Sequence, residues 1–145
     1  MDEIDSAILN ELKQNGRASA SEISKRVSLS VPAVGERIRK MEQAGTIQKY
    51  TVRLNRQQLG QHLLAFIFVN IDKNENIEPF REAIVQFSCV LECHHVAGEY
   101  DYLLKVAAAD TQALEVFLSQ SLKKISGVVR SNTIITLITL KEEIN

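Results

Sequence analysis

Apolar residues recur in steps of three and four from Ile4 to Met41 and in alternating or unbroken runs after Gln61. The first texture is that of amphipathic helices, the second that of strands mixed with helices. Ile4, Ala7, Ile8 and Leu12 form one stripe of a helix over Asp2 to Gln14, which Asp2 or Asp5 can cap. Asn15-Gly16 stops it. A short second helix follows from Ala20 to Val27, with Ser19 or Ser21 as cap and Ile23 and Val27 facing inward. Only Ser28-Leu29-Ser30 separates it from a third, the spacing of a helix-turn-helix. In that third helix Ser30 is the N-cap, Pro32 occupies the first turn where its missing N–H costs nothing, and Gly45 supplies the left-handed end. Val31, Val34, Ile38 and Met41 share its inner face. Pro32, Ala33, Glu36, Lys40 and Gln43 lie opposite, with Arg37 and Arg39 on the flanks. A face that is small at its start and basic further on suits the DNA major groove.

Thr46 to Leu54 alternates imperfectly around Ile47, Tyr50 and Val52, which predicts a wing strand. The polar stretch 54–60 ends in Gly60 and reads as a hinge. Leu63–Ile71 predicts a strand apolar on both faces. Asn76 should cap a helix carrying Ile77, Phe80, Ile84 and Phe87. Strands over Val90–Val96 and Tyr102–Ala108 flank a turn at Gly98–Asp101. Asp110 should cap a helix burying Leu114, Phe117, Leu118 and Leu122, and Val128–Leu140 reads as a last strand. The order is βαββαβ, a ferredoxin-like unit over residues 61–145. The fold class is therefore α+β, with a three-helix winged helix-turn-helix over residues 1–53 in front. Both helices of the second unit cover one sheet face. Leu64, Phe66 and Phe68 would leave the other apolar. We read that face as covered by a second copy in a symmetric dimer, rather than by the N-terminal half.

Charge sharpens this picture. The net charge is −1, but residues 1–60 carry ten Lys/Arg against seven Asp/Glu, and residues 61–145 carry seven against eleven. From Lys13 to Arg56 there are ten basic and three acidic residues, so the anionic partner belongs to the first half. No apolar run is long enough to span a bilayer and no leader pattern opens the chain, so no membrane partner and a cytoplasmic, nucleoid-associated location are expected. Cys89 and Cys93 lie too far apart along a strand to bond each other and read as buried thiols. His94 and His95 face opposite ways and cannot pair on a metal. No nucleophile–base–orienter set accompanies them or Glu99 and Asp101, so an enzyme is not expected, and neither a cofactor nor a metal has support.

The ordered fragments Asp5-Ser6-Ala7-Ile8-Leu9, Asn15-Gly16-Arg17, Leu29-Ser30, Arg37-Ile38, Met41-Glu42, Gly45-Thr46-Ile47, Val96 to Lys105 and Ile125-Ser126-Gly127-Val128 span the chain from end to end. Together they resemble the Lrp/AsnC (feast/famine) family of prokaryotic transcription regulators, most of all its small Bacillus-type Lrp paralogues. The resemblance implies a C-terminal ligand-sensing domain of the RAM type. It also implies dimers that assemble into tetramers or octamers, and DNA that is bent or wrapped. Effectors, usually amino acids, would bind between dimers. The site would include His95, Gly98, Glu99, Tyr100 and Asp101, with Ile134, Ile135 and Thr136 on the last strand. Glu99 and Asp101 could hold an α-amino group, or merely shape the turn. An amino-acid response and an effector-independent, architectural role both stay open.

The expected mechanism puts one recognition helix in each of two major grooves, half-sites about 34–36 Å apart or a multiple of that. Arg37, Arg39 and Lys40 would hold phosphates of double-stranded DNA. Ser28 and Ser30 would donate to phosphate or base edges, and Pro32, Ala33 and Glu36 would face bases. Few of these suit bidentate readout, so bending and shape would carry much of the selectivity. Arg37→Ala would then weaken binding to all sequences and flatten its salt dependence. Gly35 costs the helix about 1 kcal/mol relative to alanine; either close approach to DNA or tertiary support would account for it.

Overall fold

The computed structural model describes residues 1–144, which fall into two compact units, one built on Met1–Arg53 and one on Leu54–Glu142. Helices α1 (Glu3–Gln14), α2 (Ala20–Val27) and α3 (Val31–Gln43) make the first. Asp2 and Asp5 form a reciprocal capping box at α1, and Ser19 and Glu22 form another at α2. Ser30 accepts from the Ala33 amide at the head of α3. Gly45, at φ 73°, ends α3 while the Thr46 and Ile47 amides return to the Met41 carbonyl. The stripes meet in a core of Ile8, Ile23, Val34 and Met41, with Ile38 packed against it; Val31, expected inside, is exposed.

The expected wing strand does not form. Among the described residues no strand lies between Gln43 and Leu63, and Val52 and Leu54 are exposed. No strand is described in its own unit to offer an edge that would complete a ladder. Tyr50 instead donates to Glu42 at 2.8 Å.

The second unit is a four-stranded antiparallel sheet of β1 (Leu63–Ile71), β2 (Val90–His95), β3 (Tyr102–Ala108) and β4 (Val128–Ile135), in the order β2-β3-β1-β4. Two helices, α4 (Ile77–Ile84) and α5 (Thr111–Val116), cover one face. Phe80, Ile84, Leu114, Phe117 and Leu122 bury against Ala65, Ile67, Val69, Tyr102, Leu104 and Val106. Past Val116 the helix widens into a π-turn over Phe117–Ser121. On the opposite face Leu64, Phe66 and Phe68 are half-buried and Ile134 is exposed. Cys89 and Cys93 are free, half-buried and packed against the core, and burial pushes both thiols above their usual range.

One expected cap is made differently and one expected boundary moves. Asn76 stands at the N-cap position of α4 but makes no side-chain cap bond: its side chain donates to Asp72 at 2.8 Å and accepts from Ser126 at 3.3 Å, and a 3₁₀ turn over Asn74–Asn76 leads into the helix. The last strand ends at Ile135, not Leu140. Its partner β1 begins at Leu63, so the ladder runs out when the Thr136 amide reaches the Leu64 carbonyl. Leu137, Ile138 and Leu140 are left exposed.

Beyond them Glu142 is gripped by Arg56 at 2.9 and 3.2 Å and by Lys105, which also holds Glu92 at 3.0 Å. Arg56 first, then Lys105, pushes the Glu142 carboxyl down to about 2 from 4.5. A depressed carboxyl adds stability in full above its unfolded value and loses it as pH falls through the folded one. Glu142→Gln should therefore flatten the loss of stability between pH 4.5 and about 2, read as urea midpoints by circular dichroism. An identical acid profile would show that the clamp contributes nothing there.

Candidate functional site

In α3 Val34, Ile38 and Met41 turn inward and the opposite side carries exposed Pro32, Glu36, Arg39 and Lys40. Ser28, at the α2–α3 turn, is exposed in the left-handed region at φ 54°, and its amide is used on the Ser24 carbonyl. Ser30 spends its hydroxyl as an acceptor for the cap, which leaves its O–H to donate. Glu36 forks onto Arg39 at 2.7 and 3.0 Å, and Lys40 stands 3.8 Å from it. Arg39 holds the Glu36 carboxyl below its usual range. The trio keeps one net positive charge, on exposed pairs that open cheaply. A Cβ at Gly35 would meet nothing within 4 Å. Packing in the chain does not demand glycine there, so the gap is available to an approaching backbone.

Arg37 is placed differently from its neighbours. Its Nη1 lies 2.8 Å from Asp2 and 2.6 Å from Asp5, across the start of α1. The capping-box amides first, then Arg37, hold both carboxyls low, and the two acids raise Arg37 in turn. It forms part of the wall of a cleft of about 480 Å³ that Ala33, Glu36 and Lys40 also line. A guanidinium already bound to two carboxylates is a brace between α1 and α3. Arg37→Ala is expected to lower the melting temperature while leaving the salt slope of DNA binding unchanged, and Arg37→Lys should restore part of the melting temperature. A flattened slope at wild-type stability would return Arg37 to the phosphate contacts.

In the sheet unit the turn Gly98–Asp101 is bolted to β1. The Asp101 amide is shared by the Val69 carbonyl and the Asn70 Oδ1, both at 3.0 Å, while Asp101 Oδ2 accepts from the Ile71 amide at 2.8 Å. Asn70 Nδ2 donates to the Glu99 carbonyl at 3.2 Å. Asp101 thus shapes the turn. The exposed acid is Glu99, which meets Arg130 at 3.0 Å. The Arg130 guanidinium lies over Tyr100, 4.9 Å from the ring centre, and Tyr100 tilts against Phe68 at 5.2 Å. Sequence reasoning missed Asn70 and Arg130. Asn70 is the one polar residue among the apolar ones of β1, and Arg130 is the lone cation between Lys124 and Lys141.

The other expected residues lie apart from this turn within the chain. His95 stacks on buried Tyr102 at 5.1 Å, 3.5 Å from Arg81, on the helix side of the sheet; Phe68 and Tyr100 lie on the other side. His94 faces away and pairs with Glu92 at 3.0 Å, as the alternation of a strand requires. Ile134 pairs with Phe66 and Arg130 with Asn70. Ile134, Ile135 and Thr136 therefore start about 13 Å along the strand from Arg130. Among the described residues no helix is long and apolar enough to cross a membrane, and no three metal-ligating side chains cluster.

Residues 1–42 match the model of the AsnC-type helix-turn-helix domain, and residues 64–145 match that of the Lrp/AsnC ligand binding domain. The leucine-responsive regulatory proteins of Klebsiella pneumoniae and Escherichia coli K12 are each 38% identical over 144 residues, 98% of this chain and 88% of theirs. Among solved structures, a transcriptional regulator of Neisseria meningitidis in complex with L-Met superposes with a TM-score of 0.96 at 32% identity, covering 99% of this chain and 94% of that one. The feast or famine regulatory protein of M. tuberculosis, complexed with L-methionine, gives 0.92 at 33%, covering 99% and 97%. LrpC of B. subtilis gives 0.89 at 29%, covering 99% of each.

Proposed function

The chain belongs to the Lrp/AsnC family of transcription regulators, and from that premise we propose that it binds double-stranded DNA as an oligomer, bends it, and answers to a free amino acid. Residues 1–53 are the DNA-binding part, 54–60 the hinge, and 61–145 the part that pairs copies and senses. Ser28, Ser30, Pro32, Ala33, Glu36, Arg39 and Lys40 meet DNA, and Arg37 braces the helix that carries them. The observation that carries this is α3: a capped helix with Val34 and Met41 buried and Pro32, Glu36, Arg39 and Lys40 outward. The half-buried aromatic face of the sheet supports pairing with a second copy. For the effector, the support is two neighbours solved with methionine. The turn Gly98 to Asp101 is one wall of that site. His95 and Ile134, Ile135 and Thr136 enter it from another copy, since within one chain they stand apart from the turn. The protein is not an enzyme and works in the cytoplasm on the nucleoid.

A second reading, architectural wrapping without an effector, is favoured by the commitment of Asp101 to the Ile71 amide rather than to a ligand. Light scattering and fluorescence anisotropy on a labelled duplex, with and without each amino acid, separate the two. A discrete assembly whose size or DNA affinity shifts with one amino acid supports sensing. An assembly that binds DNA and ignores all twenty supports wrapping alone. A monomer without duplex affinity at physiological salt would defeat both.

A further inference from the structure

We propose that Arg56, Glu142 and Lys105 form a clip that fastens the hinge to the sheet unit, and that this clip sets which half-site spacings a pair of copies accepts on DNA. The inference rests on the reading that copies pair and bind a duplex together. Three separate segments meet at one carboxylate. Glu142, on the tail beyond β4, takes both arms of the Arg56 fork, at 2.9 and 3.2 Å, and the Lys105 ammonium from β3. Lys105 also holds Glu92 at 3.0 Å, and Glu92 pairs with His94 at 3.0 Å, so the cluster continues onto β2. A bidentate fork fixes direction as well as distance. The side chains of Arg56, Glu142 and Lys105 are only 27%, 19% and 14% exposed, so water screens them less than an ordinary surface pair.

The hinge itself is folded. Asn55 Oδ1 accepts from the Gln57 and Gln58 amides at 3.0 and 3.3 Å, and the Gln61 amide closes on the Arg56 carbonyl at 2.8 Å. Such a turn swings as a block unless its leading end is tied, and Arg56 is that tie. By sequence only Leu54 and Asn55 separate Arg56 from Arg53, where the DNA-binding part ends, a reach of roughly 10 Å. With the clip open the tether runs on to Leu63 at the start of β1, a reach of up to roughly 35 Å. Lys105 stands opposite Phe66 in the ladder, on the face read as pairing with a second copy. Each clip is thus anchored on the surface that joins the copies, and the span between two DNA-binding parts is set from there rather than by a loose tether. Arg56 and Glu142 are positioning residues, acting through the hinge and not by touching DNA.

The test is fluorescence anisotropy of the full-length protein on a series of duplexes. Each carries two copies of a half-site selected by the wild-type protein from a random pool, and the gap between them grows one base pair at a time through one helical turn. Wild-type affinity should rise and fall once over the series, by on the order of tenfold or more, because a short tether cannot reach a half-site on the wrong side of the helix. Glu142→Gln should level the series to within about twofold, as a long tether reaches every phase. Arg56→Lys, which keeps the charge without the fork, should fall between. The salt slope should stay at its wild-type value in both, since neither residue is a phosphate contact. Matched circular dichroism melts establish that the variants are folded, and Arg56→Lys carries the comparison if Glu142→Gln is not. If Arg56→Gln weakens every spacing equally and Glu142→Gln leaves the series unchanged, Arg56 is a phosphate contact and the clip is wrong. A wild-type series that is already level defeats the clip and leaves DNA binding standing. No duplex binding by the wild-type protein at any spacing defeats the reading beneath it.

Discussion

Alanine at both Arg39 and Lys40 is expected to lower affinity for any duplex by about two to three orders of magnitude near physiological salt. Phosphate contacts release counterions, each adding about 0.9 to the slope of log K against log salt, so a dimer that loses two cations per copy should lose about 3.6 from that slope. The loss should be the same on specific and random sequences, because phosphate contacts position the protein without reading bases. Glu36 sharpens the effect. It now shares its charge with Arg39 and Lys40, and without them it faces DNA as a bare anion. A salt titration by anisotropy on two unrelated duplexes checks both numbers. An unchanged slope would show that these cations serve only to balance Glu36.

Gly127→Ala should cost about 3 kcal/mol of the stability of the sheet unit. Gly127 sits at φ 89°, where an L side chain is strained by about 1–2 kcal/mol. The new methyl would also stand 2.4 Å from the Asn76 Cβ and 2.8 Å from its Nδ2. Asn76 cannot yield freely, since it bridges Asp72 and Ser126 ahead of α4. The Gly127 carbonyl, meanwhile, accepts from the Asp72 amide at 3.0 Å, so the strand end and the helix start are tied at this point. Gly60→Ala is the natural comparison. At φ 75° it carries similar strain, but its Cβ would meet nothing within 4 Å, so it should cost only the strain, about 1–2 kcal/mol. Equal urea midpoints for the two variants would mean that the clash is relieved at no cost.

Where the sequence spoke clearly, the signal was local. Ser30, Pro32 and Gly45 bound α3 by chemistry within a turn of itself, and the run Leu63–Ile71 is a strand with the bounds its apolar residues suggest. Where it fell short, the deciding partner was distant in the chain. The ion pairs of Arg37 with Asp2 and Asp5 come from the packing of α1 against α3, which its helix face does not announce. Val128 to Leu140 has the composition of one long strand, yet its end is set by where β1 begins. The wing residues have strand propensity but no edge to pair with in their own unit. The turn at Gly98–Asp101 is legible in the residues, but its partners are not, because Asn70 and Arg130 reach it across the sheet.

The two half-buried thiols have a practical side. Alkylating reagents and disulfide exchange need thiolate, and both Cys89 and Cys93 hold their protons more tightly than an ordinary cysteine. A single cysteine introduced at an exposed position such as Gln43 or Leu137 would therefore react with a maleimide dye well ahead of the native pair. The unaltered background would serve for distance measurements between the DNA-reading helix and the tail.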